Sequence, residues 1–338
     1  MFLWFLVGTP LITSAGLPQL GVLDASAYDY IIILPDLHGD TEYLMYSLWL
    51  AAKHTNWPDM SYETMESILV SSAEIPAPRS APERTALVQL GDVTNRGPGG
   101  RLCFTILFSI EQLFGWRMVS LFGNHELMSF TGKDGRYVHD HEYVFYKGAK
   151  DRAAEFSASG TLWTNINNNY VMFARIAGDS SPSVSDSLFV HGGVNLSWLS
   201  KLPLEDRTNI AELNKLMRWV MADPARADSF LASSDSPLWT RDFLNNSLDP
   251  KWCETELVEI LTAFKVSRVF VGHTPLDSKR VEPRCSGRII LTDVTLSRWM
   301  GNGGQPIAIV MEASGGPVTA HYFHPLSKQE FSEQVVLA

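Results

Sequence analysis

The chain has 338 residues, 45% of them hydrophobic and 19% charged, which is apolar enough to bury one large core or two smaller ones. Its formal net charge is −10, so it offers no basic field for a nucleic-acid backbone or an anionic membrane surface, and no nucleic-acid partner is expected. No fixed-period repeat or low-complexity tract occurs, which excludes solenoids and long disordered arms.

The chain opens with Met1-Phe-Leu-Trp-Phe-Leu-Val-Gly8 and meets its first charged residue at Asp24. That start resembles a secretory signal peptide over residues 1–27, with small-residue cleavage sites at Thr13-Ser-Ala15 and, better placed, Ala25-Ser-Ala27, although it lacks an early Lys or Arg. Secretory or extracellular localisation is therefore expected, with a cytoplasmic one as the alternative. Gly8, Pro10, Gly16 and Pro18 interrupt the apolar run, so no stable membrane insertion is expected.

From Asp29 the pattern changes. Residues 29–34 (DYIIIL) form a short apolar, β-branched run that reads as a buried strand and ends in Pro35-Asp-Leu-His-Gly39. The same grammar recurs at 85–90 before Gly91-Asp92, at 117–122 before Gly123-Asn-His-Glu126, at 187–190 before His191-Gly-Gly193, and at 268–271 before Gly272-His-Thr-Pro275. Helical stretches lie between, at 41–53, 100–114, 210–221 and 254–265. Such alternation implies an α/β fold with much parallel pairing, and sites of such sheets gather at the carboxyl ends of the strands. Further strands at 288–291, 307–312 and 318–323, joined by Gly-rich turns, suggest a second, partly antiparallel sheet.

Two segments break the alternation. Residues 54–83, with Pro58, Pro76, Pro78 and Pro82, exceed what a strand–helix–strand unit needs and read as a surface insertion. Residues 128–180 read as a cap over the site, made of short helices and a polar loop at 165–169. The catalytic domain is expected over 28–325, with 326–338 a tail. Cys103 reads as a buried thiol, while Cys253 and Cys285 either pair or stay free. Asn195-Leu-Ser197 and Asn245-Asn-Ser247 fit the glycan acceptor pattern, and only Asn245 is expected to be exposed.

The polar strand ends supply hard oxygen and imidazole ligands for two divalent cations. Asp36 and His38 suit one metal, Asp92 can bridge, and Asn124, His191 and His273 suit the other. A lone histidine at a strand end is usually structural, but six suitable side chains on five strand ends are a set.

With these motifs the chain resembles the metallophosphoesterase superfamily and its phosphoprotein phosphatases, whose signatures are GDxHG, GDxxDRG, GNHE, HGG and GH. Here they read Pro35-Asp-Leu-His-Gly39, Gly91-Asp-Val-Thr-Asn-Arg-Gly97, Gly123-Asn-His-Glu126, His191-Gly-Gly193 and Gly272-His273. Residues 132–138 (GKDGRYV), 236–241 (SPLWTR), 272–275 (GHTP) and 293–297 (DVTLS) are similar to the Shewanella-like phosphatases. The resemblance implies a two-sheet sandwich flanked by helices and two divalent ions (Mn, Fe or Zn) at the strand ends. It also implies in-line attack of a metal-bridging hydroxide on the phosphomonoester of a phosphorylated protein or peptide. Arg96, Asn124 and Arg241 would hold the phosphate, and His125 would protonate the leaving oxygen.

Two positions depart from the pattern. Pro35 stands where the family has Gly, and Asn95 where it has an Asp that bonds the catalytic His; Asn95 would still orient His125, without the charge that favours imidazolium. A neutral residue there also fits a second reading, an ApaH-like dinucleoside polyphosphate hydrolase, whose leaving group needs less help from an acid. A third is a degenerate phosphatase that binds without turnover. The sequence carries no signal for oligomeric state.

Overall fold

Three consecutive isoleucines, Ile31 to Ile33, are stiff at χ1 and pack well on a pleated surface. In the computed structural model they form a strand buried on both faces, as a central strand of a covered sheet must be. The structure describes residues 21–71, 78, 81–178, 186–301 and 304–335. The proposed signal peptide therefore lies outside the described residues up to position 20.

The described residues hold thirteen strands: β1 (Val22–Asp24), β2 (Tyr30–Leu34), β3 (Thr85–Gln89), β4 (Arg117–Leu121), β5 (Tyr170–Val171), β6 (Phe173–Ala177), β7 (Ser187–Val190), β8 (Arg268–Val271), β9 (Glu282–Arg284), β10 (Ile289–Leu291), β11 (Ile307–Glu312), β12 (Val318–His324) and β13 (Gln329–Val335). They build two sheets, of order β1-β6-β7-β8-β10-β9 and β13-β12-β11-β2-β3-β4-β5. Strands β2, β3 and β4 run parallel, as do β7, β8 and β10, so their carboxyl ends point one way in each sheet. Helices flank the sheets. Helix Thr41–Lys53 packs on β11 and β12, and helix Gly100–Phe114 packs on β4 and stops at Gly115, whose φ of 69° suits a residue without Cβ. No helix among the described residues is long and apolar enough to cross a membrane.

Several expectations need correction. The C-terminal strands do not form a sheet of their own: β10 joins β8 in parallel, whereas β11 runs antiparallel to β2 in the other sheet. Between β10 and β11 the chain passes from one sheet to the other. The supposed tail supplies β13, which pairs with β12 along its whole length. In the cap region, residues 165–169 are helical, within Thr161–Asn169, and Asn165 and Asn169 donate their side-chain amides to the carbonyls four residues back. The run after them, Tyr170 to Ala177, enters both sheets as β5 and β6. The 54–83 insertion carries helix Tyr62–Ser71 and buries Trp57, Met60, Met65, Ile68 and Leu69, so it covers core as well as surface.

Strand β1 pairs in parallel with β6, Val22 opposite Arg175, and Leu23 is buried. Cleavage after Ala27 would remove this strand, whereas cleavage after Ala15 would keep it.

Candidate metal centre

Local backbone geometry builds the site. The turn after β2 is stitched to the turn after β3: Leu37 and His38 donate to the Asp92 carbonyl at 3.0 and 2.8 Å, and Gly39 donates to that of Val93 at 2.8 Å. Glu126 pins the second turn from the other side, its carboxylate accepting the amides of Asp92, Val93 and Gly123, each at 2.9 Å. Two glycines are dictated by close approach. A Cβ on Gly123 would lie 2.2 Å from Asp92 Oδ1, and one on Gly272 would lie 2.3 Å from Asp36 Oδ1. His38, Asp92, Asn95, Arg96 and His273 all have φ between 45° and 69°. Left-handed non-glycine residues are costly and persist where surrounding structure holds them, characteristically at functional sites.

Pro35 does not disturb this turn. The left-handed positions are His38 and Gly39, both downstream of it, and the amides that tie the turn down belong to residues 37–39.

The six expected ligands converge. His191 lies 2.8 Å through Nδ1 from the Leu90 carbonyl, and His273 lies 3.2 Å through Nε2 from that of Trp239. A carbonyl can only accept, so each contact places the ring proton on the nitrogen facing it and leaves the other nitrogen with a bare lone pair. Those bare nitrogens both face Asn124 Oδ1, at 3.0 and 2.9 Å, and His191 Nε2 is also 3.5 Å from Asp92 Oδ1. Lone pairs turned on one another with no proton between them are the arrangement a cation satisfies. On the other side of Asp92, His38 Nε2 stands 3.7 Å and His125 Nε2 4.0 Å from Oδ2. Asp36 accepts the His273 amide at 3.0 Å and lies 4.0 Å from His191 Nδ1.

Electrostatics agree. Burial, aided by Asp293 and Asp92, holds the Asp36 carboxyl well above its usual range, and burial pushes Asp92 up to about 8 and Asp293 up to about 6. Burial also lowers His38 to about 3, His191 to about 4 and His273 to about 2. Crowded buried carboxylates beside neutral imidazoles fit two divalent ions, whose charge stabilises the carboxylates and whose ligands must be unprotonated. Asp36, His38 and Asp92 would hold one ion; Asp92, Asn124, His191 and His273 would hold the other.

Two arginines border this centre. Arg96 lies against the ring of Tyr137, Cζ 4.4 Å from its centroid, and donates its amide to the Tyr137 carbonyl at 2.7 Å. Tyr137 also meets His125 edge-on at 5.1 Å. Arg241 donates to Thr274 Oγ1 at 3.0 Å and to the His273 carbonyl at 3.3 Å.

Asn95 does not meet His125 as expected. Its Oδ1 accepts from Arg152 Nη2 at 2.9 Å and its Nδ2 donates to Ser129 Oγ at 3.3 Å, while His125 Nδ1 is buried without a partner. Arg152, 3% exposed, belongs to helix Ala149–Glu155 of the cap and also donates to Asp134 Oδ2 at 2.7 Å and Glu142 Oε1 at 3.3 Å. With two carboxylates already on one guanidinium, a neutral acceptor at 95 completes the network without a third negative charge.

Reading the sequence alone missed three residues. Tyr137 and Asp293 both stand in segments of family likeness, but nothing in their spacing assigns a role. Asp293 is buried with Oδ2 unpartnered. Arg152 is the one buried residue of a short polar helix, and only the fold brings it to Asn95.

A buried, preorganised pair of cation positions bordered by two arginines defines a metal-dependent phosphoesterase. Residues 30–277 match the calcineurin-like phosphoesterase family, and the chain belongs to it. The chain is 27% identical over 290 residues to Shewanella-like protein phosphatase 1 of Plasmodium berghei, covering 82% of this chain and 69% of that protein. It is 27% identical over 280 residues to an uncharacterized protein of Schizosaccharomyces pombe, covering 80% of each. Among solved structures, the cold-active protein-tyrosine phosphatase of a psychrophilic Shewanella sp. shares the fold, with a TM-score of 0.60 and 21% identity over 94% of this chain and 82% of that one.

Proposed function

We propose that this phosphoesterase is a phosphoprotein phosphatase acting on phosphomonoesters of protein side chains. The observation that carries the reading is the pairing of Arg96 and Arg241 beside the metal positions, with buried His125 between Asp92 and Tyr137. Bound Mn, Fe or Zn ions would supply an acidified water and neutralise phosphate charge. Arg96 and Arg241 grip the non-reacting oxygens through planar guanidinium forks. Tyr137 keeps the Arg96 guanidinium extended by stacking. Asn124 aligns the phosphate, and His125 gives its proton to the leaving oxygen. Likeness to the Plasmodium phosphatase supports a protein substrate.

The neutral residue at 95 argued for a dinucleoside polyphosphate substrate, but its bond to Arg152 gives Asn95 a different reason to be neutral. A substrate panel tests the choice: with Mn²⁺ added, turnover is expected on phosphopeptides and p-nitrophenyl phosphate and to be far weaker on diadenosine tetraphosphate. Preference for the dinucleotide would reverse the assignment, and no turnover on any substrate would favour a binding protein.

We further propose that the protein enters the secretory pathway. Cys253 and Cys285 are joined by a disulfide, Cα–Cα 5.5 Å, a bond that persists in oxidising compartments. Asn245 is exposed, whereas the Asn195 side chain is tied to the Trp198 amide and to Asp242. Expression in a eukaryotic cell should yield a processed amino terminus and glycan at Asn245. An intact Met1 in a cytosolic fraction would refute it.

A further inference from the structure

The other end of helix Thr41–Lys53 lies about 20 Å from the metal centre along the helix axis and carries a second group of ligand-type side chains. In the β12–β13 register His321 faces Ser332, and Phe323 faces Glu330. Side chains two apart on a strand share a face, so His321, Phe323, Glu330 and Ser332 lie on one face of the hairpin. Tyr46 and Trp49 of the helix pack on Phe323 at 4.8 and 5.2 Å. Where the helix stops, the His54 ring lies flat on that of His321, centroids 3.6 Å apart and planes within 12°.

Ligand atoms of His54, His321 and Glu330 all fall within 4.8 Å of one another. Ser332 Oγ, 2.7 Å from His321 Nδ1, can accept a hydrogen bond from that nitrogen and leave Nε2 as the free ligand atom. Lys53 holds Glu330 Oε2, and His54 Nε2 meets Oε1. The carboxylate is thus steered with one oxygen toward the histidines. The His54 and Glu330 side chains are 25% and 20% exposed, which leaves an open side for an ion and its water.

We propose that His54, His321 and Glu330 form a second cation site, distinct from the dinuclear centre, that takes one borderline divalent ion of the Zn²⁺ class and fastens the end of helix Thr41–Lys53 to the β12–β13 hairpin. Two imidazoles and a carboxylate with a fourth position for water is a ligand set zinc accepts. In-plane lone pairs of stacked rings do not converge, so His54 turns out of the stack as the ion enters.

The test uses the full chain and Zn²⁺ alone as probe. After loading and dialysis, His54→Gln and His321→Gln are each expected to retain one zinc fewer per chain than wild type, while Mn²⁺-supported hydrolysis of p-nitrophenyl phosphate stays within twofold. Equal zinc content in all three proteins would overturn the site. Should either variant fold poorly, an Asp92→Asn chain with its histidines intact should retain one Zn²⁺ more after dialysis than the same chain carrying Glu330→Gln. Equal zinc content in those two chains would overturn the site equally.

Discussion

The strand-end half of the site and the cap half differ in how they are held, and so in how they can be read. Asp36, His38, Asp92, Asn124, His191 and His273 each follow a buried strand by one to four residues. Their positions are set by sheet register, and their spacing survives as motif. Tyr137 and Arg152 come from a region of short helices and turns, and their placement depends on how that region packs. Residues that bind metal are local to the sheet, whereas residues that tune the phosphate grip are long-range.

Breaking the sheet half should have the largest effect. Asp92 reaches His38, His191 and the His125 amide at once. Asp92→Asn should lower both metal content and turnover, the latter by about a thousandfold, since metal contributes several kcal/mol to the transition state. Elemental analysis with p-nitrophenyl phosphate kinetics checks this, and full activity with metals absent would refute the centre.

Breaking the cap half should act first on stability. Arg152→Met leaves Asp134 and Glu142 buried without their cation, a loss of about 3–5 kcal/mol, measurable by urea denaturation. In the fraction that stays folded, KM should rise more than kcat falls, because Asn95 and Arg96 lose an anchor while the metal ligands do not. A smaller effect is expected from Tyr137→Leu, which removes the ring beneath Arg96. A cation–π contact of about 1 kcal/mol corresponds to roughly a fivefold rise in KM, with metal content unchanged.

The fold was legible to the same degree as the site. Strands β2, β3, β4, β7 and β8 announced themselves as apolar runs ending in glycine and ligands. Strand β1 has only three residues, and β13 reads as polar because it is an edge strand with exposed residues on both faces. Strand β6 was hidden behind asparagines that look like loop and are helix. Nothing local in Ile289–Leu291 or Ile307–Glu312 says which sheet each will join; both are apolar β-branched runs, and partner choice is a property of the whole chain.

The smallest expected change sharpens the comparison most, because it falls on the one residue assigned to the sheet half and held by the cap half. If Asn95 reached His125, Asn95→Asp would place a carboxylate beside the imidazole and raise its pKa, which burial and the neighbouring His38 now hold well below the ordinary value. The protonated acid would then persist to higher pH, and the alkaline limb of turnover on poor leaving groups would move up. In the structure the side chain instead spans Arg152 and Ser129. A carboxylate there keeps the Arg152 bond, loses the bond to Ser129, whose hydroxyl already donates to Asp134 at 2.6 Å, and adds a third negative group to one guanidinium. The expected result is a stability loss of about 1 kcal/mol with the pH profile of turnover unmoved. An upward shift of the alkaline limb would show that residue 95 serves the acid after all, and that the cap does not own it.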